Sequence, residues 1–549
     1  MGQMQNTDGK KFLIVFILVW VVQMAAAFYF CTQKQGFHED EYYTYYSTAR
    51  TNGFYVEGGQ WMDRDTYRNE FVVLKNERFR YGLVRLVQSW DVHPPLYYWV
   101  FHTVASLVPN VFSKWIGLSV NLFFHGINII LLTYLSYLAV GRCCRASLLA
   151  IFFWGLCPAV ISGVVFIRMY EMLTTFVLLC AILHIGAVMK NEEKLSCLRC
   201  LVPMAAVTYL GFLTQYYYFI FLFYLAIAFC AWLLWRDRKI HNCIRYGVSQ
   251  AAGLLLAYAT YPSCLGQMFR GQRGAQATGN FFDWSNTAER VVFFYDLMNR
   301  YVFGHMLPVL LLLIIVFAAA VYWWDRGVMK KRAARTEGVV YKQTAPEYEA
   351  AFWMLAFAAA GYFLTVAKTA LLLGGTSIRY QLPIYSIVVF LIFTAISRLL
   401  QVLTDSWTEN GKYTKYVKYT RAAAALVCLT AILLGHWKDG VEFLYPEDLE
   451  QTAFAKECAA QGTPAVYLYQ PGEEWCIWDV TDELLMYPKV YFAAINDFDL
   501  SDDEEIKNAD SLAVYIADDD RILRITADIN EKQCTRMFDE KYCSVWYFE

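Results

Sequence analysis

The sequence predicts a polytopic α-helical membrane protein of about eleven spans, followed by a small C-terminal extracytoplasmic α/β domain. Three observations predict it. Of 549 residues, 58% are hydrophobic and only 17% charged, where a soluble globular chain carries about a quarter. Many apolar stretches approach the roughly 20 residues needed to cross about 30 Å of hydrocarbon. Charge is also divided unevenly. The formal total is −2, yet residues 438–549 hold 9 Lys+Arg against 26 Asp+Glu, a net of −17, which leaves +15 for residues 1–437. This composition excludes disorder, collagen-like sequence and a small disulfide scaffold.

Taken in order, the first apolar stretch, 12–31, follows Lys10 and Lys11. It lacks a small-residue cleavage site, so it reads as an uncleaved anchor rather than a signal peptide. An outer loop, 33–95, comes next, and a shorter apolar run, 96–110, opens after His93-Pro94-Pro95. Further stretches occupy 113–140, 146–167, 170–189, 200–218, 219–235, 246–262, 303–324, 350–373, 382–400 and 421–437. Basic connectors alternate with less basic ones: Arg142/Arg145, Lys190/Lys194/Arg199, Arg236/Arg238/Lys239/Arg245, Arg326/Lys330/Lys331/Arg332/Arg335 and Lys412/Lys415/Lys418/Arg421. By the positive-inside rule the chain is a multi-pass cell-membrane protein with a cytoplasmic N-terminus and an extracytoplasmic C-terminal domain. Twelve crossings would return the C-terminus to the inside. Either 96–110 therefore lies along the surface, or 146–167 dips in and returns. Both solutions leave 33–95, 263–300, 374–380 and 438–549 outside.

The boundary falls between a transmembrane part, 1–437, and an acidic domain, 438–549. In the latter, runs at 465–469, 490–494, 512–517 and 545–548 read as strands, separated by helical stretches at 447–461 and 473–486. No Gly-rich phosphate loop occurs there, so this domain is assigned no catalytic role. A disulfide between Cys534 and Cys543 is permitted in that compartment. Cys197-Leu198-Arg199-Cys200 has metal-ligand spacing but lacks a second ligand pair.

Polar residues where burial makes them costly point to a site. His38-Glu39-Asp40-Glu41 follows the first span, and crowding of carboxylates at a membrane boundary raises their pKa, as a general base or cation site requires. In Asp91-Val92-His93-Pro94-Pro95, the prolines set His93 at a helix N-terminus, which favours an anion, and Asp91 could orient its imidazole. Arg168-Met169-Tyr170-Glu171 interrupts apolar sequence, where a charge costs about 2.5–3.5 kcal/mol. Arg168 either pairs with Glu171 at i,i+3 or binds a phosphate through its planar fork. Thr214-Gln215-Tyr216-Tyr217-Tyr218 and Ser377-Ile378-Arg379-Tyr380 fall on the same side. Acidic residues of the first loop with His93, Arg168 and Arg379 would combine a base with anion-binding groups.

These residues resemble the GT-C glycosyltransferases, in the branch containing protein O-mannosyltransferases and lipid A aminoarabinose transferases. Asp40-Glu41 and the Asp91-Val92-His93-Pro94-Pro95-Leu96-Tyr97-Tyr98 block carry the resemblance over about residues 10–400. Arg168-Met169-Tyr170, Gln215-Tyr216-Tyr217 and Arg379-Tyr380-Gln381-Leu382-Pro383 agree with weaker patterns. The resemblance implies a GT-C-like bundle and sugar transfer from a polyprenyl-phosphate donor to an extracytoplasmic acceptor, with inversion. It further implies Asp40 as the catalytic acidic residue, with Glu41 completing the motif. Glu39 competes, since Glu39-Asp40-Glu41 offers two overlapping acidic pairs. His93, Arg168 and Arg379 would hold the donor phosphate, and Tyr170, Gln215 and Tyr216 would touch sugar or lipid. No cofactor is firmly implied, although carboxylates could hold a divalent cation. The expected partners are the lipid-linked sugar, an unidentified acceptor and membrane lipids, with no nucleic acid. Two rival classes are a lipid-linked-sugar transporter or flippase, for which Lys368 is the best intramembrane candidate, and a catalytically inactive sensor.

Overall fold

The computed structural model describes residues 2–49, 58–140, 145–190, 194–333, 346–408, 427, 430–436, 438–498, 503–518 and 533–549. Most of the apolar stretch 421–437, and the basic connectors at Arg142, Arg335 and Lys412/Lys415/Lys418/Arg421, lie outside these residues.

The chain opens with α1 (Gly2–Gln33), which ends at a polar face of the molecule. On that face lie α2 (Glu39–Ala49), the short strand β1 (Gln60–Asp63), α3 (Arg64–Asn69), α4 (Tyr81–Trp90) and α5 (Leu96–Leu107). Then α6 (Lys114–Val140) runs away from the face, the bent pair α7 (Arg145–Leu156) and α8 (Pro158–Val165) returns, and α9 (Tyr170–Lys190) runs away again. The alternation continues through α10 (Val202–Thr214), α11 (Tyr217–Asp237) and α12 (His241–Thr260). Next come α13 (Ser263–Phe269), α14 (Gln272–Phe282) and α15 (Thr287–Tyr301) at the polar face, then the long helices α16 (Leu307–Ala333), α17 (Pro346–Thr369) and α18 (Leu382–Thr408).

Among the described residues, seven helices are long and apolar enough to cross a membrane, and the bent pair α7–α8 makes an eighth. Contacts at the helix ends identify the segment that does not cross. Near the end of α5, Arg78 Nε donates to the carbonyl of Ser106 at 2.6 Å. The N–H of Asn110 bonds the carbonyl of Val73 at 2.9 Å. Both ends of α5 therefore lie against the first loop, and its 12 residues reach only about 18 Å. The α7–α8 pair runs the length of the bundle, since α6 delivers the chain to the opposite face and Val165 leads straight back to Arg168. It bends by 52° at Cys157-Pro158, where proline opens α8. By the same tracing α12 runs back to the polar face, where Arg85 Nη1 bonds the carbonyl of Thr260 at its end.

Past the bundle, α19 (Asp448–Gln461) leads into β2 (Ala465–Tyr469), β3 (Lys489–Ala494), β4 (Leu512–Ile516), β5 (Cys534–Asp539) and β6 (Ser544–Phe548). Four strands and α19 lie where the alternation and composition predict them. The expected helix at 473–486 is a 3₁₀ turn, Glu474–Val480, followed by one helical turn, Thr481–Leu484. The sheet order is β1-β3-β2-β4-β6-β5, with β3-β2-β4 parallel at the centre and antiparallel neighbours outside. Thus β1, from the first loop, closes one edge by pairing Gln60 with Phe492 and Asp63 with Lys489.

The sheet's alternation explains its docking. Ala465, Tyr467, Tyr469, Phe492 and Tyr515 point into the same apolar core that runs through the bundle. Val466, Leu468, Tyr491, Val514 and Ile516 form a smaller core on the other face. A strand buried on both faces reads as a continuous apolar run, which is the pattern of β2 and β4. The Cys534–Cys543 bridge is not formed: register sets Cys534 opposite Phe548, at the far end of the hairpin from Cys543.

Candidate active site

The site begins at the start of α2, where the first acidic residues follow His38. His38 Nδ1 accepts the N–H of Asp40 at 3.0 Å, and Glu41 Oε2 accepts the N–H of His38 at 2.7 Å. This is the reciprocal geometry of a capping box, with histidine at the cap and glutamate three residues on. Burial drives the His38 imidazole down to about 3, so the ring is neutral and its Nδ1 is free to accept. Glu41 is fully buried. Its second oxygen accepts the N–H of Ile167 at 2.7 Å, and Lys34 Nζ stands 2.9 Å from Oε2. Helix geometry turns Asp40 the other way, with its side chain 34% exposed to a cavity.

Ile167 and Arg168 occupy the break between α8 and α9, where the helical ladder stops. Side chains take several of the freed backbone groups. Asn121 Nδ2 donates to the carbonyls of Val164 and Phe166 at 3.1 and 2.6 Å, and Thr44 Oγ1 to that of Ile167 at 3.2 Å. Non-helical backbone at membrane depth survives only where protein or a cavity satisfies it. Arg168 leaves this break toward α2 rather than toward Glu171. Its Nη1 donates to the carbonyl of Asp40 at 3.1 Å and to Tyr98 OH at 3.0 Å, and Nη2 lies 4.0 Å from Asp40 Oδ1. Glu171 instead accepts from Asn128 Nδ2 at 2.9 Å, so the i,i+3 pair expected as an alternative is absent.

Arg379 comes from the 3₁₀ turn Gly374–Tyr380 that precedes α18. Its Nη2 stands 3.2 Å from Asp40 Oδ2, and the guanidinium lies 5.1 Å from the ring centres of both Phe166 and Tyr380. Two buried guanidinium groups therefore share one carboxylate. Burial would raise the Asp40 carboxyl, but Arg168 and then Arg379 hold it well below the usual carboxylate range. The arginines remain underused: Nε of Arg168, and Nε and Nη1 of Arg379, are buried with no hydrogen-bond partner among the described residues. His93 completes the group. Its Nδ1 is 2.8 Å from Asp91 Oδ2 and its Nε2 is 3.2 Å from Arg168 Nη2.

These side chains line one cavity of about 1130 Å³, and Asp40, His93, Arg168, Tyr170, Gln215, Tyr216 and Arg379 all border it. Glu41 does not. Gln215 Oε1 accepts the N–H of Tyr217 at 2.8 Å, capping α11, and Tyr170 stacks on Phe166. Segments 33–95, 263–300, 374–380 and 438–549 each contribute lining residues, so the four stretches assigned to a common side do meet. Sequence reasoning missed Tyr43, Gln267 and Arg273, and above all the C-terminal layer, which roofs the cavity with Trp475, Trp478, Asp479 and Tyr542. The run Glu473-Glu474-Trp475-Cys476-Ile477-Trp478-Asp479, with two tryptophans among carboxylates in a polar domain, was the available signal. Among the described residues no group of three His, Cys, Asp or Glu side chains is arranged to hold a metal ion.

The helical bundle is thus hollowed at one face around a carboxylate and two arginines, and an α/β layer roofs the hollow. Among solved structures, ArnT from Cupriavidus metallidurans bound to undecaprenyl phosphate matches 99% of this chain and 98% of its own, with a TM-score of 0.50 and 12% identity. The apo form of the same protein matches 98% of each chain at a TM-score of 0.47 and 11% identity. The fold of this chain is therefore that of the undecaprenyl-phosphate-bound ArnT structure, sheet layer included. No protein-family model matches the chain, and no curated protein matches it.

Proposed function

We propose that this protein is an integral membrane glycosyltransferase that moves a hexosyl or pentosyl group from a polyprenyl-phosphate donor to an acceptor outside the cytoplasm. The observation that carries the reading is the pair of buried guanidinium groups with unpaired N–H donors facing one carboxylate. Buried donors left unmade cost about 1–3 kcal/mol each, more when charged, and an anionic ligand removes that cost. The solved neighbour was crystallised with undecaprenyl phosphate, which supports a polyprenyl phosphate as that ligand. Residues 1–437 would then bind the donor, and 438–549 would cover it on the extracytoplasmic side.

In this reading Arg168, Arg379 and His93 hold the donor phosphate. Asp40 takes the proton of the acceptor hydroxyl as its oxygen bonds the anomeric carbon. The bond from that carbon to the phosphate oxygen breaks, and its electron pair leaves with the polyprenyl phosphate, where the arginines meet the developing charge. Asp40, clamped by both arginines, is a weak base without ligand. Once phosphate shares those guanidinium groups, their pull on the carboxylate falls and its basicity rises. Tyr170, Gln215 and Tyr216 border the space left for sugar or lipid. The arginines supply the charge balance, so the step as written invokes no divalent cation.

The test is Asp40→Asn in the full chain, assayed with a panel of polyprenyl-phosphate sugars. Expected is loss of transfer with membrane insertion retained; full activity would sink the assignment. Transport is disfavoured by the position of Lys368. Its ammonium holds the loop before α15, bonding Asn286 Oδ1 at 2.7 Å and Thr287 Oγ1 at 2.9 Å.

A further inference from the structure

We infer that the outer end of the cavity, built by the C-terminal layer, is an acceptor subsite for a saccharide that bears no phosphate or carboxylate. The inference rests on the transferase reading and adds the acceptor's class. Its first support is an aromatic pair. Trp475 is 48% exposed, whereas its near neighbour Trp478 is buried, and the Tyr542 ring stands edge-on to Trp475 at 4.9 Å. Both border the cavity that holds Asp40. Exposed aromatic surface beside convergent polar groups in a concave site is the composition of a ligand pocket, and sugar rings offer the flat C–H faces that such surfaces cover.

The pair is placed for the reaction. Tyr542 OH lies 3.4 Å from Glu39 Oε1, and Lys541 also bonds Glu39. Glu39 directly precedes Asp40, so a sugar on Trp475 and Tyr542 presents its hydroxyls next to the proposed base. Asp479 fixes this geometry by accepting the N–H groups of Lys541 and Tyr542 at 2.9 and 3.3 Å. At the other end, Arg379 borders the same cavity, and its Nε and Nη1 are buried without a hydrogen-bond partner among the described residues. A ligand pair would therefore lie with its phosphate inward and its acceptor outward, which lets the acceptor oxygen reach the anomeric carbon from the face opposite the departing phosphate, within reach of Asp40.

Charge decides the class of acceptor. Glu39, Glu447, Asp479 and Asp539 border the cavity on the side of this pair, with Lys541 as the basic residue beside them, while Arg273 borders it from α14. Lys541 is already engaged by Glu39. An acceptor carrying phosphate or carboxylate would meet like charge there, whereas hydroxyls find acceptors in the carboxylates. The two ends of the cavity thus discriminate in opposite senses.

The experiment uses the full chain in nanodiscs and saturation-transfer NMR with neutral disaccharides and their 6-phosphate counterparts. Undecaprenyl phosphate binding is measured separately. Expected is binding of at least one neutral disaccharide and none of the phosphorylated ones. Trp475→Ala should weaken saccharide binding about tenfold, Trp475→Phe should restore it to within about threefold, and neither should alter undecaprenyl phosphate binding. Trp475 is exposed, so neither variant threatens the fold. Equal binding of phosphorylated sugars, no binding of any neutral one, or no effect of Trp475→Ala would overturn the inference. Loss of undecaprenyl phosphate binding by the wild type would instead overturn the donor reading, and the two results are read independently.

Discussion

Asp40 and Glu41 are neighbours in sequence and opposites in environment. The residue that faces the arginines is a third exposed, while the next one is sealed among Lys34 and the N–H groups of His38 and Ile167. Glu41 thereby ties the start of α2 to the break that carries Arg168, which makes it a positioning residue. The expected outcome follows from hydrogen-bond inventory. In Glu41→Gln, the amide offers one acceptor oxygen where three donors converge, and Lys34 loses its buried counter-charge. Breaking a buried pair costs about 3–5 kcal/mol, so this variant should lower Tm in detergent by more than Asp40→Asn does, since the Asp40 carboxylate is a third exposed. Equal Tm values for the two would remove the distinction. Asp40, His93, Arg168 and Arg379 were legible in the sequence because ionisable residues are costly in or beside apolar stretches. The role of Glu41 was not read from Asp40-Glu41 as an acidic pair. The spacing His38-Glu39-Asp40-Glu41 contained it, once the histidine is allowed as a cap.

The elements that roof the site come from distant parts of the chain, and their meeting has a titration signature. Asp448 opens α19 beside Gly36, where a Cβ on the glycine would overlap Asp448 Oδ2. Burial pushes its carboxyl up to about 8, with Asp482, Glu447 and Glu540 adding to the shift and Lys34 opposing it. The folded state therefore keeps a proton that the unfolded chain releases near pH 4, and stability falls as pH rises through the folded value. His38 works in the opposite direction, but only below its ordinary value of 6.5; burial raises Glu540 to about 7 and raises Glu483 as well, so the Asp448 carboxyl is read from the difference between wild type and variant. Asp448→Asn should raise Tm at pH 9, with a smaller gain at pH 7. A uniform shift at both pH values would show that the carboxyl is not the titrating group. Period-2 runs revealed β2, β3, β4 and β6. The edge strands β1 and β5 were missed for a physical reason: β1 spans only Gln60–Asp63, and β5 is largely exposed. Neither shows an apolar alternation, and the first loop's share in the roof rests on β1.

At the scale of the whole molecule, the charge split and the fold make one argument about orientation. Hydropathy showed the bundle but could not decide between two apolar segments for the one that fails to cross. Contacts at both ends of α5 decide it, because length and apolarity say nothing about which face a helix returns to. With α5 laid along the polar face, the ends of α6, α9 and α11 beginning at Lys114, Tyr170 and Tyr217 share that face with the sheet. The opposite ends lead to the basic connectors at Lys190/Lys194 and Arg236/Arg238/Lys239. Cytoplasmic loops carry the excess of Lys and Arg, so the cavity and the domain of net −17 should lie outside. A domain of that charge also gains nothing from lying on anionic headgroups. The expected outcome is that a reporter active only outside the cytoplasm works when fused after Glu549 and is silent when inserted after Lys190, with a cytoplasmic reporter giving the reverse pattern. If the fusion after Glu549 reports from the cytoplasm, the cavity and the carboxylate it contains lie on the inner face. A lipid-linked sugar would then have to be used where it is made, before any step that carries it across the bilayer.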